Sequence, residues 1–130
     1  MTESRKTLAT IEAAAKEIAA SVGSAGLAGL VNNAGIAVAG PVELLPLDAL
    51  RHQMEVNFIG QIAVIQTMMP MLREACGRII NISSLNGILA PPYFGAYSAS
   101  KFALEAASCS LRVELRQWGI KVVLIEPGAI

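Results

Sequence analysis

The stretch GRIINISSLNGILAPPYFGAYSASK, residues 77–101, contains the signals of a strand, a loop and the start of a helix in one run. Its isoleucines are β-branched and lie between turn residues, which predicts a buried strand over residues 78–83. The glycines and prolines of residues 85–95 exclude regular structure, so this segment is expected to be a loop. The third helix of the chain is then predicted from Tyr97 to about Gln117.

Helices and strands alternate over the rest of the chain. Apolar residues at helical spacing predict a first helix over residues 8–22. Short apolar runs predict strands at residues 27–31 and 120–125. A long helix is expected over residues 46–75, kinked or broken at Pro70. Strands joined by helices need crossover connections, so we expect an α/β fold with three parallel strands and helices on both faces of the sheet.

The composition excludes several classes of protein. With 130 residues the chain has the size of one domain, and 54% hydrophobic residues predict a large buried core. Ten basic and ten acidic residues balance, so no net charge would attract nucleic acid. The apolar stretch at residues 56–72 is interrupted by polar residues and a proline, which favours a buried helix over a membrane span. Without a signal peptide or a metal-ligand cluster, a cytoplasmic protein that binds no metal is predicted.

Ser84, Tyr97 and Lys101 are the side chains best suited to chemistry. Residues four apart on a helix share a face, so Lys101 is expected beside the phenol of Tyr97. A free phenol has a pKa of about 10 and is a poor base at neutral pH, and an adjacent cation lowers such a pKa toward the working range. Ser84 follows the predicted strand at its carboxyl end, where open α/β sheets bind ligands. Taken alone, a tyrosine and a lysine at this spacing are more often an ordinary pair on a helix surface.

Five motifs in order connect these side chains to a family. They are NNAG at residues 32–35, Asn57, the serines at 83–84, YSASK at 97–101 and the Pro-Gly pair at 127–128. In this combination the chain resembles the classical short-chain dehydrogenases/reductases over essentially its whole length. The resemblance implies a three-layer Rossmann-like fold, here incomplete. Residues 1–130 are expected to form one partial domain that lacks the family's N-terminal glycine-rich cofactor-binding half and its C-terminal substrate segment.

The resemblance also implies a nicotinamide cofactor, NAD or NADP. In such enzymes the tyrosine exchanges a proton with the substrate oxygen, and the lysine assists it and binds the nicotinamide ribose. The serine holds the substrate oxygen, and the asparagine keeps a water near the lysine. The implied catalytic residues are Asn57, Ser84, Tyr97 and Lys101. The implied cofactor-binding residues are Asn33, Ala34, Gly35, Tyr97, Lys101, Pro127, Gly128 and Ile130.

The implied activity is the interconversion of a secondary alcohol and a ketone by an enzyme that forms homodimers or homotetramers. An apolar loop at residues 87–94 favours a hydrophobic small molecule as substrate. The 130-residue chain by itself is expected to be inactive, and the main alternative is an inert fragment that retains only the oligomerisation helices. An epimerase or dehydratase of the extended relatives is a further alternative, because it shares the tyrosine and lysine.

Individual motifs also have structural alternatives. Asn57 could be a buried polar residue bonded to backbone. The NNAG segment could be only a turn, since Asn and Gly tolerate left-handed conformations. Ser83 is expected to cap the turn between the strand and the loop. His52 is expected to be a solvated surface residue.

Overall fold

A computed structural model describes residues 3–128, with side chains from residue 7 onward. Its strands form one parallel sheet in the order β1-β2-β3, where β1 is Gly29–Asn32, β2 is Arg78–Ile82 and β3 is Lys121–Ile125. The helices are α1 at Glu3–Val22, α2 at Leu47–Met54, α3 at Gly60–Glu74 and α4 at Gly95–Glu114. The expected α/β, Rossmann-like fold with three parallel strands is confirmed. No helix in residues 3–128 is both long and apolar enough to cross a membrane.

The hydrophobic core lies on one face of the sheet. Ile79 and Val122 point into it and pack with Leu72 of α3 and with side chains of α1. Side chains alternate along a strand, and on the opposite face Val31 is 59% and Val123 37% exposed. The expectation of helices on both faces is therefore wrong for the part of the chain that the structure describes. The strand order explains this, because right-handed crossovers in an order that never reverses place the connecting helices on the same face.

The long helix between β1 and β2 is irregular, but at a different position from the one expected. A break at Pro70 is wrong, because α3 is continuous through this residue. Pro70 is exposed, so the carbonyl that loses its helical partner lies on the solvent side. The irregularity lies at Glu55–Ile59, a π-helical segment between α2 and α3. Such segments are rare and occur frequently at functional sites.

Element boundaries differ from the expected ones for local reasons. β1 begins later than expected, because the Leu27 N–H donates to the Met71 carbonyl of α3 at 2.9 Å and not to a strand. The predicted loop after β2 contains a 3₁₀ turn, Leu85–Gly87. The third predicted helix ends as a 3₁₀ turn, Leu115–Trp118, and Gly119 follows with φ 69° in the left-handed conformation that terminates helices.

Candidate active site

A cavity of about 340 Å³ lies at the carboxyl ends of the strands, and Ser84, Tyr97 and Lys101 all line it. Ser84 reaches it from the turn after β2, and Tyr97 and Lys101 from the first turns of α4. Parallel strands end at the same edge of a sheet, which is why residues distant in sequence meet here. The convergence expected for Ser84, Tyr97 and Lys101 is therefore present.

Lys101 is buried and anchored at this cavity. It is 4% exposed, and its Nζ donates a hydrogen bond to the Ile82 carbonyl at 2.8 Å. The same Nζ lies 5.8 Å from the centre of the Tyr97 ring, one helical turn earlier. Burial lowers the pKa of Lys101 below its usual value, and the nearby negative charge of Glu105 opposes this change. The lysine is thus a fixed cation beside the phenol.

Ser84 has a second role besides lining the cavity. Its Oγ accepts a hydrogen bond from the Asn86 N–H at 3.1 Å, so Ser84 caps the 3₁₀ turn that follows β2. The expectation that Ser83 is the cap is wrong, because the Ser83 Oγ is buried without a hydrogen-bond partner among the described residues. Ser84 has an extended backbone and precedes the turn directly, which is the geometry a cap needs.

Asn57 is fully buried in the π-helical segment and bonds to the protein through its whole amide. Its Oδ1 accepts from the Ile36 N–H at 2.9 Å, and its Nδ2 donates to the Ile36 carbonyl at 2.9 Å and to Ser100 Oγ at 3.1 Å. These bonds fasten the loop after β1 to α4. They match the alternative of a buried polar residue bonded to backbone, and the expected water-holding role stays a prediction.

Two glutamines that the sequence analysis did not select act in the same way as Asn57. Gln53 accepts from the Val38 N–H at 2.7 Å and donates to the Ile36 carbonyl at 2.8 Å. Gln61 donates to the Ala34 carbonyl at 2.8 Å. Residues 53, 57 and 61 are spaced by four, so their shared helix face was the signal that could have identified them. Together these amides hold the loop at residues 34–38.

A second network of buried polar side chains lies between the sheet and α4. This network was not predicted from the sequence either. The Asn32 Nδ2 donates to Asn81 Oδ1 at 2.8 Å, and the Asn81 Nδ2 donates to Ser108 Oγ at 2.8 Å. Asn32 and Asn81 are register partners at the ends of β1 and β2. This network therefore sets how the NNAG segment, β2 and α4 sit relative to one another. Asn32, the first asparagine of NNAG, therefore has a structural role.

The residues that the resemblance assigns to cofactor binding do not all reach the cavity. Asn33, Gly35, Pro127 and Gly128 line it. Ala34 instead lines a neighbouring cavity of about 470 Å³. Ile130 lies outside the described residues. His52 is exposed, as expected.

Fold and cavity together define a class of protein: a Rossmann-like α/β protein in which a tyrosine, a lysine and a serine meet at the carboxyl ends of parallel strands. The family model described as short chain dehydrogenase matches residues 4–130, and the chain belongs to this family.

Two relatives and one solved structure illustrate the similarity. The chain is 44% identical over 125 residues to the NADPH-dependent 3-dehydrocapnine reductase of Ornithobacterium rhinotracheale, covering 92% of this chain and 44% of that protein. It is 46% identical over 121 residues to 17-beta-hydroxysteroid dehydrogenase type 6 of Bos taurus, covering 92% of this chain and 38% of that protein. A crystal structure of a short-chain dehydrogenase from Streptomyces avermitilis superposes with a TM-score of 0.88 at 37% identity, covering 95% of this chain and 45% of that one. The chain thus spans less than half the length of each.

Proposed function

We propose that this chain carries the proton-transfer part of an NAD- or NADP-dependent oxidoreductase that interconverts a secondary alcohol and a ketone. One observation carries the proposal: Ser84, Tyr97 and Lys101 line a single cavity. Membership of the short-chain dehydrogenase family and the NADPH-dependent relative support a nicotinamide cofactor.

Each of the three side chains has a role in the proposed reaction. Tyr97 exchanges a proton with the substrate oxygen, and the Lys101 ammonium stabilises the phenolate that results. Ser84 Oγ already accepts the Asn86 N–H, so its own hydroxyl proton remains to be donated to the substrate oxygen. Each group therefore presents a proton or a charge to the same cavity.

The donors in the cavity suit a nicotinamide ribose. An ammonium has three N–H donors, and the Ile82 carbonyl takes one of them, so Lys101 retains donors for ribose hydroxyls. Gly35 keeps the wall beside Lys101 thin, since a Cβ there would lie 3.9 Å from Lys101 Nζ. When bound, the nicotinamide donates or accepts the hydride. In the proposal Asn33, Gly35, Pro127 and Gly128 contact the cofactor. Ala34 takes part as a member of the same loop as Gly35, and Asn57 holds this loop in place.

Exposed apolar side chains in the loops after β1 and β2 favour a hydrophobic substrate. The loops on the two sides of the cavity are joined by a hydrogen bond from the Gly40 N–H to the Tyr93 carbonyl at 2.7 Å. Their exposed side chains include Leu44, Ile88 and Leu89, which are 73%, 57% and 49% exposed. Exposed apolar groups of this kind suit a small apolar alcohol or ketone. The steroid-dehydrogenase relative agrees with this class of substrate.

We further propose that the helices over residues 47–75 and 97–117 form the contacts of a homodimer or homotetramer. Leu47, Phe102 and Val113 on these helices are 64%, 43% and 65% exposed, and exposed apolar groups are typical of interaction surfaces. If the chain is instead an inert fragment, forming these subunit contacts would be its remaining function. A cytoplasmic location stays a prediction from the sequence.

A chimera tests the proposed activity against the inert alternative. Residues 4–128 would replace the matching segment of the Streptomyces avermitilis dehydrogenase, which supplies the remaining parts of the fold. We expect turnover of a hydrophobic secondary alcohol, followed by nicotinamide absorbance with NAD and with NADP in turn. A folded chimera that neither turns over nor binds reduced nicotinamide in a fluorescence titration would favour the inert alternative. The unmodified dehydrogenase is the control for substrate and cofactor.

A further inference from the structure

Glu105 lies one helical turn after Lys101 on α4, so Tyr97, Lys101 and Glu105 share a face of this helix. The Glu105 Oε1 is buried and has no hydrogen-bond partner among the described residues. A buried carboxylate oxygen without a hydrogen bond is costly unless a positive charge offsets it. Lys101, itself only 4% exposed, is the cation on this face.

Gly87 makes room for the Glu105 carboxylate. A Cβ at Gly87 would lie 2.9 Å from Glu105 Cγ, 3.1 Å from its Oε1 and 2.7 Å from Ser83 Oγ. Ser83 follows Ile82, whose carbonyl holds the Lys101 ammonium. The end of β2 therefore holds Lys101 through the Ile82 carbonyl, and the turn after it packs against Glu105 at Gly87.

We propose that Glu105 is a positioning residue for the tyrosine and lysine: its carboxylate, whose Oε1 is buried next to the Gly87 turn, is the counter-charge that keeps the Lys101 ammonium protonated and in place. This inference rests on the proposed function for its catalytic meaning. Glu105 touches neither substrate nor cofactor in this account, and it acts through Lys101. Removal of the Glu105 carboxylate would leave the Lys101 ammonium buried against uncharged groups such as the Ile82 carbonyl.

The charges around Lys101 come from α4. Tyr97 and Glu105 are the titratable groups that face it from this helix. β2 contributes the uncharged Ile82 carbonyl, and the uncharged Asn57 amide faces Lys101 across Gly35. Burial lowers the pKa of Lys101 and the Glu105 charge raises it. Without Glu105 the lysine loses its proton at lower pH, and the phenolate loses its stabilising cation with it.

NMR titration of the Lys101 side chain in the full 130-residue chain tests this inference. The Lys101 signals are assigned with Lys101→Arg. We expect Lys101 in Glu105→Gln to titrate at lower pH than in the wild type, and Glu105→Asp to stay closer to the wild type. Glu114→Gln is the matched control, because Glu114 lies on the same helix but is exposed and bonded to Ser110, and it should leave the Lys101 titration unchanged.

Two results would overturn the inference: an unchanged Lys101 titration in Glu105→Gln, or a change in Glu105→Asp as large as in Glu105→Gln. None of these measurements needs a cofactor, so an inactive chimera with the expected Lys101 titration would count against the proposed function alone.

Discussion

Asn57 fastens the loop after β1 to α4, and its replacement by alanine measures how much this fastening stabilises the site. Three hydrogen bonds are lost, two to Ile36 and one to Ser100. The Ile36 carbonyl keeps Gln53 as a partner, and the Ser100 hydroxyl keeps the Tyr97 carbonyl. The Ile36 N–H loses the bond to Asn57. At about 1 kcal/mol for each net hydrogen bond, with a further cost for the buried N–H and a small gain in helix propensity, the expected loss is about 3 kcal/mol.

Urea unfolding of the wild type and Asn57→Ala measures this loss as a change in the free energy of unfolding. Gln117→Ala is the matched control, because Gln117 also has a side-chain amide bonded to a carbonyl but is exposed, and its replacement should cost less than about 0.5 kcal/mol. Hydrogen exchange of the Ile36 amide should accelerate in Asn57→Ala. A loss below about 1 kcal/mol, or one equal to that of Gln117→Ala, would refute the assignment of Asn57 as the clamp of this loop.

Two further predictions concern backbone packing and pH. Gly77→Ala should destabilise the fold by about 3 kcal/mol, because its Cβ would lie 2.4 Å from the Leu27 carbonyl oxygen and overpacking against rigid backbone is costly. Gly29→Ala should cost much less in the same urea assay, because its Cβ would lie 3.7 Å from the Arg78 carbonyl oxygen. The folded pKa of Lys101 lies below the usual 10.5, so between these two values the unfolded chain binds more protons and this group makes stability rise with pH. Lys101→Met should therefore show a smaller rise in unfolding free energy with alkaline pH than the wild type, and identical rises would contradict the burial of a charged lysine.

The elements that could be predicted from the sequence are those encoded locally. The β-branched residues of β2 and the turn residues around them both indicate a buried strand. The spacing of Tyr97 and Lys101 on a helix places them on one face without knowledge of the rest of the fold. The motif order then predicted which residues would converge with Ser84. Tyr97 and Lys101 line the same cavity, whereas Asn57 and Ala34 do not.

The features that could not be predicted depend on distant contacts. Which face of the sheet is covered follows from strand order, and nothing in the sequence of the strands specifies that order. β1 starts late because Leu27 bonds to α3, a contact that no local pattern contains. Pro70 is tolerated because it faces solvent. The low helix propensity of proline does not tell on which side of a helix the residue lies. The roles of Gln53 and Gln61 depend on a loop that passes beside their helix.

The central claim is that Tyr97 transfers the proton in this cavity. The most direct measurement is kcat of the chimera with Tyr97→Phe, compared with Tyr93→Phe as the matched control. Tyr93 is 64% exposed and does not line the cavity, so loss of its hydroxyl should leave kcat close to the parent value. General acid and base groups contribute about 10²–10⁴-fold to rate, and we expect a loss in this range for Tyr97→Phe with nicotinamide binding retained. A Tyr97→Phe chimera that keeps the kcat of the parent would contradict the account.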